Sequence, residues 1–174
     1  LSDYPEANYY LKLALKYCKP DSANYAAILD NYGINLYKTR RYQEALKQFH
    51  KSGLIALKIN DSLRYAKTLG NKALVYEEQN KYAEAIQLLK EDIALSERLK
   101  ESKNKMFASI ALARIYLKNN NLSDAQAILT EAEKIAVSKF YFRKSELEII
   151  KLKLELLKRI PNANQELITT RRMM

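Results

Sequence analysis

Few side chains in this sequence have the type and spacing for chemistry. Asn31 and Asn71 occupy matching places in a pattern that repeats along the chain. A side-chain amide both donates and accepts hydrogen bonds, so a repeated pair can hold the backbone of an extended peptide whatever its sequence, or can satisfy neighbouring backbone groups and water. The remaining candidates lead away from catalysis. His50 is the single histidine, with no cysteine or carboxylate spacing around it that suggests a metal site. Cys18 is the single cysteine; it has no partner for an internal disulfide and no histidine close in sequence to activate it. Glu77 and Glu78 are neighbours, which on a helix diverge by about 100°, so they do not form a paired-carboxylate site. No glycine-rich phosphate loop is present. The chemistry on offer is binding, with no cofactor, no metal and no catalytic residue expected.

Composition points to helices as the elements that position these residues. Among 174 residues there are 3 glycines and 3 prolines, too few for the turns of a β-rich chain. Charged residues make up 29%, and no apolar run approaches the roughly 18 to 20 residues that span a bilayer. The sequence begins at Leu1 with neither a methionine nor a signal-like apolar segment, which suggests a processed or excised piece.

Internal repetition organises the chain. Tyr42, Ala45 and Phe49 recur as Tyr82, Ala85 and Leu89 and as Leu122, Ala125 and Leu129, with one constant period between the copies. Gly33, Ala73 and Ala113 align as small residues at the same period, Leu36, Tyr76 and Tyr116 as large ones, and Asp21-Ser22, Asp61-Ser62 and Glu101-Ser102 as helix starts. Ser22, Ser62 and Ser102 are expected to act as N-caps, with the acids favoured by the helix dipole. A first helix of about 17 residues should end near "KTRR", "EQNK" and "KNNN", and a second should begin near Tyr42, Tyr82 and Leu122. Each repeat is then an antiparallel helix pair. A glycine inside a helix costs about 0.5 to 1 kcal/mol relative to alanine. The alanines equivalent to Gly33 show that smallness is what the position requires, with Tyr42 and Phe49 filling the space beside a close helix contact.

The spacing Leu29, Gly33, Leu36, Tyr42, Ala45, Phe49 resembles the tetratricopeptide repeat. Residues 69–99, "LGNKALVYEEQNKYAEAIQLLKEDIALSERL", are similar to the 40-residue variety of signalling adaptors and bacterial regulators. The usual tryptophan near the start of such repeats is replaced by Leu29, Leu69 and Ser109, and no proline closes the second helices. The resemblance implies an all-α fold, an α-solenoid in which antiparallel helix pairs stack into a right-handed superhelix. It reads as a single domain, 1–174: a half repeat at 3–20, full repeats at 21–60, 61–100 and 101–139, and a final partial repeat at 140–174. "YPEANYYL" and "IPNANQEL" read as second helices with proline in the first turn, and Lys151 is expected in the small-residue position of the last repeat. With no first helix before it, the opening helix should leave Leu11 and Leu15 as an exposed apolar strip that recruits another copy or an upstream segment.

The resemblance further implies a concave face lined by the first helices. Carried onto this sequence, its positions are Ala27, Asp30, Asn31, Ile34 and Tyr37; then Lys67, Gly70, Asn71, Leu74 and Glu77; then Phe107, Ile110, Ala111, Arg114 and Leu117. The peptide-binding set expected is Asn31, Ile34, Tyr37, Lys67, Asn71, Leu74, Phe107, Ile110 and Arg114. Ala111 interrupts the asparagine ladder, so a ligand there needs apolar or acidic character. The clamp that related chaperone-binding repeats use for a C-terminal carboxylate is absent: its positions hold Asp30, Ile34, Asn71, Phe107 and Ala111, of which only Asn71 agrees.

The formal net charge is +10, and residues 134–174 carry ten Lys or Arg against four acids. A basic surface attracts acidic partners. No nucleic-acid motif accompanies it, which leaves a nucleic-acid adaptor the least favoured reading. The expected partner is a protein or extended peptide, with acidic character favoured, and homo-oligomers through exposed repeat ends are the structural alternative. The abundance of Lys, Asn, Ile and Tyr resembles that of an AT-rich bacterium, which suggests the interaction or sensory part of a signalling protein in bacterial cytoplasm or periplasm.

Overall fold

The computed structural model describes residues 4–138 and 143–160. Among them are eight helices and no strand: α1 (Tyr4–Tyr17), α2 (Ala23–Lys38), α3 (Tyr42–Lys58), α4 (Ser62–Glu78), α5 (Tyr82–Arg98), α6 (Ser102–Lys118), α7 (Leu122–Ser138) and α8 (Arg143–Arg159). The second helices start at Tyr42, Tyr82 and Leu122, as the periodicity predicts, and Pro5 sits in the first turn of α1. The second proline-led helix, from Pro161, lies outside the described residues.

One turn, repeated at every half period, sets this regularity. Arg40, Asn60, Asn80, Lys100 and Asn120 all have φ between 57° and 61°. At each, the residue's own N–H reaches the carbonyl three positions back and the next N–H reaches the carbonyl five positions back, at 2.8 to 3.2 Å. This is the Schellman arrangement, which satisfies the last carbonyls of one helix while reversing the chain. The next residue then opens the following helix, so Asp61 caps α4 by accepting from the Arg64 N–H at 2.9 Å. Ser62 and Ser102 are therefore the first residues of α4 and α6, not caps. Of the three serines only Ser22 caps as expected, accepting from the Tyr25 N–H at 3.1 Å, because Pro20 and Asp21 lengthen the first turn. Asparagine tolerates the left-handed region better than lysine does, at a cost of roughly 1 to 2 kcal/mol for ordinary residues. Lys100→Gly should therefore raise stability by about 0.5 to 1 kcal/mol, read as a higher urea midpoint at unchanged m-value.

The chain divides into two compact units, Leu1–Asn104 and Lys105–Met174. In the first, α1 packs on α2, α2 on α3, α3 on α4 and α4 on α5, and α2 also lies beside α4. In the second, α7 packs on α8. Ala45, Ala85 and Ala125 are completely buried, as are Phe49, Leu89 and Leu129 to within 1%. Gly33 faces the Phe49 ring so closely that a Cβ there would sit 2.5 Å from the nearest ring carbon. Phenylalanine opposite glycine fills one site with complementary volumes, and the equivalent positions of the later repeats hold alanine and leucine, all buried: Ala73 and Leu89, Ala113 and Leu129.

Two expectations are corrected. Leu11 and Leu15 are not an open strip: both pack on the buried Tyr32, Leu36, Phe49 cluster, and Leu15 also reaches the cluster of Ala26, Leu29 and Ile55. The aromatic residues left outside on α1 are Tyr9, Tyr10 and Tyr17. Lys151 is exposed, and the residue one full period after Ala113 is Lys153, half-buried, its ammonium 2.6 Å from Glu133. A charged partner on α7 is what lets a long side chain occupy that position.

Candidate protein-interaction face

In the first unit the candidate face is built on α2 and α4. Heptad-like spacing, Ala27, Asn31, Ile34 on α2 and Lys67, Asn71, Leu74 on α4, puts each set along one stripe of its helix. The opposite stripe is the core: Ala26, Leu29, Gly33 and Leu36 on α2, and Ala66, Leu69 and Ala73 on α4. Asn31 and Lys67 are exposed; Ile34, Tyr37, Asn71 and Leu74 are half-buried. Ile34 and Tyr37 lean on the Tyr32–Leu36–Phe49 cluster, and the Tyr37 ring lies 6.0 Å from that of Tyr42. Neither Asn31 nor Asn71 makes a side-chain hydrogen bond within the described residues, so both amides keep their donors and acceptors for solvent or a ligand.

In the second unit Phe107 is 46% exposed, but Ile110 is 2% exposed and belongs to the core. Arg114 donates to Glu148 at 2.8 Å, so its charge is already engaged. Four further positions assigned to the face are buried: Asp30, Glu77, Ala111 and Leu117.

Asp30 and Asp92 form a feature that the periodicity carried but the sequence reading missed. Asp30 on α2 meets Arg64 at 3.3 Å and Thr68 at 3.4 Å on α4. Burial raises its pKa, while Ser52, Arg64 and Thr68 pull the other way. One period on, Gly70 replaces Asp30 and Asp92 replaces Ser52, so the carboxylate comes from α5 instead of the first helix. Gly70 leaves room for it: a Cβ there would lie 2.8 Å from Asp92 Oδ2. Asp92 accepts from Ser96 at 3.0 Å and from Asn104 at 2.6 Å, and Asn104 is the periodic equivalent of Arg64. A neutral amide thus replaces the guanidinium. Burial pushes the Asp92 carboxyl up to about 7, against the smaller opposing effect of the Ser96 and Asn104 hydrogen bonds. In the third repeat the two positions are Ile110 and Ala132, both buried and apolar. Compensating exchange between positions one period apart is the sequence signal that reveals this pair.

Among the described residues no group of three or more His, Cys, Asp or Glu side chains is gathered to hold a metal ion, and no helix is long and apolar enough to cross a membrane.

Comparison with known proteins fits this architecture. The sequence profile of the tetratricopeptide repeat matches residues 24–98 and again 64–136. No curated protein sequence matches. Among solved structures, the Podosopora anserina putative kinesin light chain with nearly identical TPR-like repeats superimposes with a TM-score of 0.68 at 17% identity, covering 97% of this chain and 84% of that one. A variant of the same protein gives 0.69 at the same identity and coverage. The apo form of RapI gives 0.74 at 22% identity, covering 96% of this chain and 45% of the RapI chain. At these identities the likeness is one of fold. The turn at every half period, the small-against-large contact of Gly33 with Phe49 and the matching profile agree: this chain belongs to the tetratricopeptide repeat family and is a helical-repeat scaffold for protein–protein interaction.

Proposed function

We propose that the chain binds an extended peptide across α2 and α4 without catalysing any reaction on it, the peptide backbone held by Asn31 and Asn71. The observation that supports this reading is the pair of amides one repeat apart, on first helices that lie side by side, Asn31 exposed and Asn71 half-buried, both without a hydrogen-bond partner among the described residues. Ile34 and Leu74, one turn further on each helix, supply a partly open apolar floor, and Tyr37 extends it on α2. Lys67 is exposed beside them and favours acidic side chains in the ligand. Ile110, being buried, and Arg114, being paired with Glu148, drop out of the contact set. The bacterial-type composition and the period of the repeat support a place within a signalling or regulatory protein.

The test is a peptide selected from a random library on the intact protein, titrated calorimetrically into the wild type and into Asn31→Ala/Asn71→Ala. Losing each amide contact should weaken binding by about 0.5 to 1.5 kcal/mol. Thermal stability should hardly change, because neither side chain bonds within the fold. Equal affinity in the folded double variant would remove the amides from the site.

A further inference from the structure

Two successive repeats treat a buried acid differently. In the first, the Asp30 carboxylate has a cation from the chain itself, the Arg64 guanidinium 3.3 Å away. In the second, Gly70 of α4, Asp92 of α5 and Asn104 in the first turn of α6, all within the first unit, keep the carboxylate and lose the cation. In the third, both acid positions are apolar, so Asp92 is the buried acid left without its cation. It comes from a second helix, behind the first-helix positions that line the inner face. Both of its hydrogen bonds, from Ser96 and from Asn104, fall on Oδ1. Oδ2 accepts none among the described residues and lies against Gly70, where a Cβ would stand 2.8 Å from it. Oδ2 is also not one of the side-chain oxygens sealed away without a partner, so it keeps a narrow contact with solvent, beside the half-buried Gly70 and Asn104. A carboxylate held largely out of water is costly to ionise unless a cation meets it. No ion pair does so among the described residues. On α4, Lys67 is exposed one turn before Gly70, Lys72 is half-buried and interacts with Glu91, and Glu77, two turns past Gly70, is a second buried acid, already engaged. On α5, Lys90 is exposed and Glu91 accepts from Tyr65 at 3.3 Å. On α6, Lys103 is exposed and Lys105 lies 3.7 Å from Glu131.

We propose that this junction is a cation subsite: a basic side chain of the ligand, arginine above all, passes over Gly70 and sets its guanidinium on Asp92 Oδ2, the part that Arg64 plays one repeat earlier. Lys67, one turn away, repels a second cation and favours an acidic neighbour. The ligand selected is therefore an extended peptide with one basic residue next to an acidic one. The subsite rests on the peptide reading for the course of the ligand backbone, but its recognition of a cation uses neither Asn31 nor Asn71.

Two experiments on the full chain test it. In the first, the carbon-13 carboxyl signal of Asp92, assigned by its loss in Asp92→Asn, is followed against pH alone, with excess N-acetyl-arginine amide, and with the neutral analogue N-acetyl-citrulline amide. A cation on Oδ2 favours the ionised form, so the arginine compound should lower the midpoint from about 7 by at least about half a pH unit, and the citrulline compound should leave it in place. The same response should persist in Asn31→Ala/Asn71→Ala, which tells failure of the subsite apart from failure of the backbone contacts. In the second, peptides selected from a random library on the wild type should share a basic residue. Replacing that residue with glutamine should weaken binding at least about tenfold to the wild type, and little to Asp92→Asn or to Asn104→Arg, which returns a guanidinium to the chain itself. Affinity for the basic peptide should rise between pH 6 and 8 on the wild type, as Asp92 ionises, and stay level on Asp92→Asn. Equal responses to the arginine and citrulline compounds, or a midpoint unmoved by both, would overturn the proposal. So would selected peptides whose affinity survives the glutamine replacement, or falls by the same factor on the wild type and on Asp92→Asn.

Discussion

Asp92→Asn should make the protein more stable above pH 7 and leave it nearly unchanged near pH 4. In the folded chain the Asp92 carboxyl, 2% exposed, keeps its proton up to about pH 7, whereas an ordinary aspartate releases it near 3.8. Between those values the folded state binds more protons than the unfolded one, so this group's stabilising contribution is complete at low pH and is lost as pH rises through 7. At about 1.4 kcal/mol per unit of displacement, the full swing is on the order of 4 kcal/mol. Asparagine keeps an oxygen to accept from Asn104 and Ser96 and never ionises. Urea unfolding of both proteins at pH 4, 6 and 8 should give curves that diverge as pH rises. The difference between them isolates Asp92, because every other carboxyl is common to both. Parallel curves would mean that Asp92 is ionised and accommodated at neutral pH.

The second large effect is expected at Gly33. Alanine is the better helix former by about 1 kcal/mol, so on an exposed helix Gly33→Ala would stabilise. Here the added Cβ would fall 2.5 Å from the Phe49 ring. The ring is 1% exposed and enclosed by Tyr32, Leu36, Ala45 and Val75, so it has no room to swing away. Overpacking should outweigh the helical gain and destabilise the protein by about 1 to 3 kcal/mol. Gly33→Ala combined with Phe49→Leu recreates the Ala73–Leu89 and Ala113–Leu129 pairings and should restore most of the loss. The cycle of two single variants and the double variant should give a coupling energy of about 1 to 3 kcal/mol favouring the matched pairs. Additive effects would mean that the two residues do not share one volume.

These two sites mark where sequence reasoning reached and where it stopped. Helix starts at Tyr42, Tyr82 and Leu122 were legible because turn residues and large-small patterns recur at one period, and local propensity agrees with them. The small residue at 33 was legible for the same reason, but the clash that enforces it required the position of the Phe49 ring. Asp92 was opaque. An acid read alone on a helix is expected at the surface, and its burial is recognisable only by noticing that Gly70 and Asp92 exchange roles with Asp30 and Ser52. The cap of α4 moved from Ser62 to Asp61 because Asn60, in the left-handed conformation, closes the turn one residue earlier than a serine cap implies. Ile110 was placed on the open face by its position within the repeat, yet it is buried, since slot alignment does not report how closely neighbouring helices pack. For the amides of Asn31 and Asn71, what was legible was the recurrence, and what the structure adds is their lack of any internal partner among the described residues.

The peptide reading is tested most directly by the side-chain amide signals of Asn31 and Asn71 in a nitrogen-15 nuclear magnetic resonance titration with a library-selected peptide. Assignment follows from the single substitutions Asn31→Ala and Asn71→Ala. If the peptide backbone lies across α2 and α4, both pairs of NH₂ resonances should shift and their exchange with water should slow as hydrogen bonds form, along with backbone shifts at Ile34, Lys67 and Leu74. Saturating the peptide while both amide pairs stay unmoved, with the shifts confined to α3 and α5, would contradict it.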